Sequence, residues 1–203
     1  MIAALVLLLL VVALHLWLVW VGAFPGDSWA LEQKLTPHSH VINAYSDFFQ
    51  ILEPAIAVPL FVVAMFLFLK RNQRAEAIGL VIAYCAVPVS EAFKLALGPS
   101  PLWVAAHQHS HDYPSGLVAF TTAVFGFLGL VAWRHGRRWM AAVALVLILA
   151  SGPARVVTGI HLVSDVIGGY LLGGAMLLLA WRLTVDRSPQ DTRWNIGGSK
   201  ASG

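Results

Sequence analysis

Six apolar runs dominate the chain, at Ile2–Phe24, Ile51–Leu69, Ala75–Leu97, Leu117–Trp133, Met140–Val157 and Leu162–Leu183. A helix needs about 20 such residues to cross the hydrocarbon core of a bilayer. The runs are continuous rather than alternating, so the fold expected is all-α: a polytopic membrane protein with six transmembrane helices in one bundle. Composition agrees, with 59% hydrophobic and 11% charged residues where an average soluble domain carries about 25% charge. The single cysteine, Cys85, excludes a disulfide framework and a Cys-based zinc site. No basic face is left to bind nucleic acid once the loops are assigned to sides of a membrane. Pro54, Pro59, Pro88 and Pro153 fall inside the runs and predict kinks whose freed carbonyls find partners on neighbouring helices.

Lys and Arg set the expected orientation. Lys70, Arg71 and Arg74 follow the second run, Arg134, Arg137 and Arg138 the fourth, and Arg182, Arg187, Arg193 and Lys200 the sixth. With six crossings all three clusters share one side, which makes that side and both termini cytoplasmic. Segments 25–50, 98–116 and 158–161 are then outer loops. The first run carries no Lys or Arg before Lys34 and no small-residue cleavage pattern, so it reads as a membrane helix rather than a signal peptide. Residues 1–187 form the membrane domain. The polar tail 188–203 has no apolar face and is expected to be a disordered cytoplasmic segment, its last residues of the kind a cloning vector adds.

Charges inside spans are costly and point inward to a purpose. Lys94, Arg155 and the pair His161 and Asp165 lie near the outer ends of three runs, with Glu91 one turn before Lys94. His161 and Asp165 are four apart on one helical face, so the carboxylate can hold one ring nitrogen and leave the other as a base or nucleophile. Lys94 and Arg155 supply the field an anion needs, Arg as a planar fork for phosphate oxygens. Pro114-Ser115-Gly116 opens the fourth run, where free helix-start N–H groups and a hydroxyl make an anion site. Singly, each has a packing explanation: Lys94 snorkels, Glu91 pairs with it, Pro-Ser-Gly starts a helix. Jointly, their spacing and shared side point to phosphoryl transfer without a metal or other cofactor.

Ala154-Arg155-Val-Val-Thr-Gly-Ile-His161-Leu-Val-Ser-Asp165 resembles the third signature, S-R-x5-H-x3-D, of the type-2 phosphatidic acid phosphatase superfamily, with Ala154 in place of the Ser. Tyr113-Pro114-Ser115-Gly116 resembles the second, P-S-G-H, and Lys94 the start of the first, K-x6-R-P. The resemblance implies a membrane lipid phosphatase. His161 attacks phosphorus to form a phosphohistidine, Asp165 orients it, and Lys94, Ser115, Gly116 and Arg155 bind the phosphate. Two positions depart. Leu117 stands where the second signature has its acid His, and Pro101 where the first has its Arg.

Loss of a general acid typically costs about 10²–10⁴ in rate. It matters least when the leaving group is a weak base, so Leu117 favours a diphosphate over a monoester. The function expected is hydrolysis of a lipid-linked diphosphate or phosphate, best a polyprenyl diphosphate such as the undecaprenyl carrier of cell-wall synthesis, at the outer face of the cell membrane. His109 and His111, in the His107–Asp112 stretch, are candidate substitute acids, and the three loop His of that stretch are alternatively a metal site or a solvated loop. The alternative function is a catalytically impaired relative that binds anionic lipid headgroups or scaffolds a membrane complex. A transporter is disfavoured because the polar residues gather at one rim rather than along a path.

Overall fold

The computed structural model describes residues 1–34, 36–51, 57–106 and 113–185, and every regular element among them is helical. In chain order they are α1 Ile2–Val21, α2 Asp27–Gln33, α3 His40–Ile51, α4 Ala57–Lys70, α5 Arg74–Tyr84, α6 Ala86–Leu97, α7 Pro101–Ala105, α8 Gly116–Phe120, α9 Gly126–Arg134, α10 Arg138–Val156 and α11 Val163–Ala180. α5 and α6 run on as one apolar helix, Arg74–Leu97, and α8 and α9 as another, Gly116–Arg134, through one wide turn at Thr121–Phe125. The tail from 186 and the stretch holding His107, His109 and His111 lie outside the described residues.

Among the described residues, five helices are long and apolar enough to cross a membrane. The second predicted crossing, Ile51–Leu69, is described only in part. Its first residue, Ile51, lies in α3 and the apolar helix Val58–Lys70 lies in α4, while residues 52–56 lie outside the described residues. Segment 25–50, expected as a plain loop, holds two helices, α2 and α3. Apolar side chains such as Ile2, Trp20 and Leu95 stand almost fully exposed, the surface that lipid covers in a spanning protein.

The helix Gly116–Arg134 sits at the centre, with Leu117, Val118, Ala119, Phe120 and Thr121 all buried. α11 packs against it at close range because Gly169 and Gly173 carry no side chain. A Cβ at Gly169 would stand 2.7 Å from the Ser115 carbonyl oxygen, and one at Gly173 would stand 2.5 Å from that of Ala119. Small residues are how helices approach in a bilayer, where apolar side chains gain nothing by leaving lipid. Pro153 lies inside α10 and frees carbonyls one turn back. The Tyr170 hydroxyl donates to Ile148 at 2.9 Å and reaches Leu149 at 3.4 Å, while Tyr45 donates to Ala150 at 2.5 Å.

Candidate active site

Lys94 comes from the last turn of α6, Ser115 from the residue capping α8, Arg155 from the last turn of α10, and His161 and Asp165 from the loop and first turn around the start of α11. These helix ends meet at the end of the bundle opposite the basic turns. A Cβ built on Gly116 would stand 3.8 Å from Lys94 Nζ and 3.2 Å from Ser90 Oγ, so the ammonium sits over the helix start. Glu91 Oε1 accepts from Lys94 Nζ at 2.8 Å, with Lys94 mostly buried and Glu91 largely exposed. The Ser115 N–H donates to the Asp165 carbonyl at 2.9 Å. The loop 157–161 then folds back on α10, because the N–H groups of Ile160 and His161 both donate to the Arg155 carbonyl, at 3.1 and 3.2 Å. Arg155 itself is buried.

His161 Nδ1 lies 3.7 Å from Asp165 Oδ2, an ion-pair separation rather than the closed hydrogen bond the spacing suggests. The same oxygen accepts from the Leu162 N–H at 2.9 Å and from Trp103 Nε1 at 3.2 Å. Asp165 is thereby fixed as the cap of α11, with its carboxylate beside the imidazole. Catalytic contacts are often long before substrate binds. Ser115 Oγ, His161 Nδ1 and Asp165 Oδ1 are buried without hydrogen-bond partners among the described residues. Buried polar atoms normally have partners, so these three are free to meet a ligand.

Three residues of this end escape a reading of the sequence. Asp27, fully buried at the start of α2, accepts from the Ser164 N–H, the Ser164 hydroxyl and the Phe24 N–H, each at 2.9 Å. Burial pushes its carboxyl above the usual range, against the pull of those bonds. Trp103 in α7 joins Ala30 and Leu162 in a small apolar cluster that clamps α2 and α7 to the start of α11. Lys34 Nζ lies 4.8 Å from the centre of its ring. His15 is buried in α1, with its ring 5.2 Å from that of Tyr113. Tyr113 donates to the Val11 carbonyl at 2.5 Å, which ties the segment before Ser115 to α1. Leu117, by contrast, points into the apolar core and is 4% exposed.

Residues 93–189, which hold all of Lys94, Ser115, Gly116, Arg155, His161 and Asp165, match the model of the PAP2 superfamily. This stretch, just under half of the chain, is similar to the PAP2 superfamily. The fold of the chain is that of a transmembrane PAP2 protein. The crystal structure of the first transmembrane PAP2 type phosphatidylglycerolphosphate phosphatase from Bacillus subtilis superposes with a TM-score of 0.73 over 93% of this chain and 99% of that one, at 18% identity. No curated protein matches the sequence. The PAP2 match covers the four helix ends that form the site, whereas α1 to α5, including Asp27 and His15, lie before it.

Proposed function

We propose that this protein is a membrane phosphatase that hydrolyses a lipid-linked diphosphate or phosphate, best a polyprenyl diphosphate. The site faces the outer side of the cell membrane and both termini are cytoplasmic, the orientation given by the Lys and Arg of the turns. The reading is carried by one arrangement: an ammonium over the Gly116 helix start, joined through Ser115 and Asp165 to an imidazole whose Nδ1 faces a buried carboxylate. Nε2 is then the nitrogen left for phosphorus.

The lipid chain stays in the bilayer while the terminal phosphoryl group enters between Lys94, Arg155 and the N–H groups at the start of α8. These donors offset the charge on the phosphoryl oxygens and align phosphorus with His161. The Nε2 lone pair forms the N–P bond as the P–O bond to the leaving group breaks, and that electron pair departs on the leaving oxygen. Asp165 stabilises the imidazolium side of the resulting phosphohistidine. In the second step a water oxygen attacks phosphorus, the N–P electrons return to Nε2, one water proton passes to bulk water, and inorganic phosphate leaves with the hydroxyl. No metal is needed in either step. With Leu117 buried among apolar side chains, the departing group must be a weak base, which a lipid monophosphate released from a diphosphate is and an alkoxide is not.

Phosphate release by the purified protein in detergent, with chelator present, tests this reading. Polyprenyl diphosphate, polyprenyl phosphate and phosphatidic acid are compared, each with His161→Ala and Leu117→His. Fastest release from the diphosphate, abolished in His161→Ala, is expected. No release from any substrate until Leu117→His is introduced would leave a disabled relative that only binds anionic headgroups.

A further inference from the structure

The opposite end of the bundle carries a second feature that phosphoryl transfer does not use. The turn after α4 and the turn after α9 are built alike. In the first, the N–H groups of Arg71, Asn72 and Gln73 donate to Leu67, Leu69 and Phe68. In the second, those of His135, Gly136 and Arg137 donate to Val131, Trp133 and Ala132. Each places one residue in the left-handed region, Asn72 at φ 56° and Gly136 at φ 76°, the usual way a helix satisfies its last carbonyls. Gln73 Nε2 and His135 Nε2 lie 3.2 Å apart, so the two turns stand side by side. They bring two guanidinium groups, Arg71 and Arg137, to the mouth of one cleft.

That cleft, about 430 Å³, runs between α4 and α9, with apolar walls that include Leu60, Ala64 and Val131. Arg71, Gln73, His135 and Arg137 line it at the turns, and no acidic residue does so among the described residues. The cleft is therefore itself amphiphilic, cationic at one end and hydrocarbon-like along its length. A basic pocket between membrane helices is what an anionic headgroup recognises, and guanidinium forks suit phosphate oxygens in particular. The central helix Gly116–Arg134 has 19 residues. At 1.5 Å per residue it sets this mouth about 28 Å from the active site, so one lipid headgroup does not reach both.

We infer that this cleft binds an anionic diacyl phospholipid, its phosphodiester at Arg71 and Arg137 and one acyl chain between α4 and α9. The lipid is not the substrate. It fills the gap beside α4, whose main packing is on α5, and holds that short helix to the bundle.

The full chain in neutral detergent is titrated with phosphatidylglycerol, with phosphatidylcholine and with soluble glycerol phosphate, reading the unfolding temperature and lipid retention by native mass spectrometry. Phosphatidylglycerol is expected to raise the unfolding temperature and stay bound, while the other two do neither. The Arg71→Gln/Arg137→Gln variant is expected to bind at least about tenfold more weakly. Ala64→Phe, which fills the cleft but keeps both charges, should also lose retention, and it serves if the double variant does not fold. His161→Ala should bind as the parent does, whether or not the parent turns over substrate. Equal stabilisation by phosphatidylcholine or by glycerol phosphate, undiminished retention in either cleft variant, or loss of retention in His161→Ala would overturn the assignment.

Discussion

At the basic end, helix pairs are joined by short turns that satisfy their own carbonyls, as at Asn72 and Gly136. At the site end, the same task falls to side chains from far along the chain. Asp27 holds Ser164 across 137 positions and Trp103 holds Asp165 across 62. Gly159 takes φ 62° against the backbone of Ala30 and Lys34. A locally closed turn tolerates change because water and a few neighbours replace what is lost. A helix end held by distant partners does not, since one substitution leaves several buried groups unpaired at once. The difference suits the work proposed for each end: reacting groups must be held to within fractions of an ångström, whereas a lipid cleft needs only charge and shape.

Alanine at two of the left-handed glycines, Gly136 and Gly159, separates the ends most sharply. Gly136 has nothing within 4 Å of a built Cβ, so Gly136→Ala should cost about 1 kcal/mol, the intrinsic penalty of that conformation. Gly159→Ala adds overlap with the Lys34 N and the Ala30 carbonyl and should cost about 3 kcal/mol or more. Chemical unfolding in detergent measures both, and equal losses would break the contrast. Asp27→Ala comes next. It strips the acceptor from Ser164 and Phe24 and should destabilise by about 2–4 kcal/mol, against no more than about 0.5 kcal/mol for Gln73→Ala at the exposed turn.

Much of this was legible in the sequence and some was not, for physical reasons. Arg74–Leu97, Gly116–Arg134, Arg138–Val156 and Val163–Thr184 follow the apolar runs closely because lipid imposes length and composition on each helix separately. Lys94, Arg155, His161 and Asp165 stand out because charge is rare in such runs. α2 escaped because seven residues, Asp27–Gln33, are too few to show a period. Asp27 lies in segment 25–50, which the sequence offers only as an outer loop, and only folding reveals that its partner is Ser164. His15, the one titratable side chain in α1, was the available signal for a polar contact there. The 3.7 Å gap between His161 and Asp165 could not be read from an i, i+4 spacing, which places side chains on one face without saying which other donors the carboxylate takes.

Smaller effects sharpen the picture at Asp165 and Asp27. Trp103→Phe keeps the ring but removes the Nε1 donor to Asp165. It should lower kcat about tenfold with little change in KM, the size of one hydrogen bond to a charged group. An equal loss in kcat and gain in KM would make Trp103 a packing residue only. Burial raises the Asp27 carboxyl above its ordinary value of 3.8, so the folded state holds that proton more tightly than the unfolded chain. Its contribution to stability is then complete below pH 3.8 and declines as pH rises through the folded value. The gap in unfolding free energy between parent and Asp27→Ala should narrow accordingly as pH rises from acid toward neutral.

The central claim is that Nε2 of His161 carries the phosphoryl group. Parent protein mixed with excess polyprenyl diphosphate, quenched in base within one turnover and digested, should yield the peptide containing His161 with the added mass of one phosphoryl group. That label should be lost on acid treatment and absent in His161→Ala. Phosphate release at full rate with no such peptide, or the label on any other residue, would contradict the account.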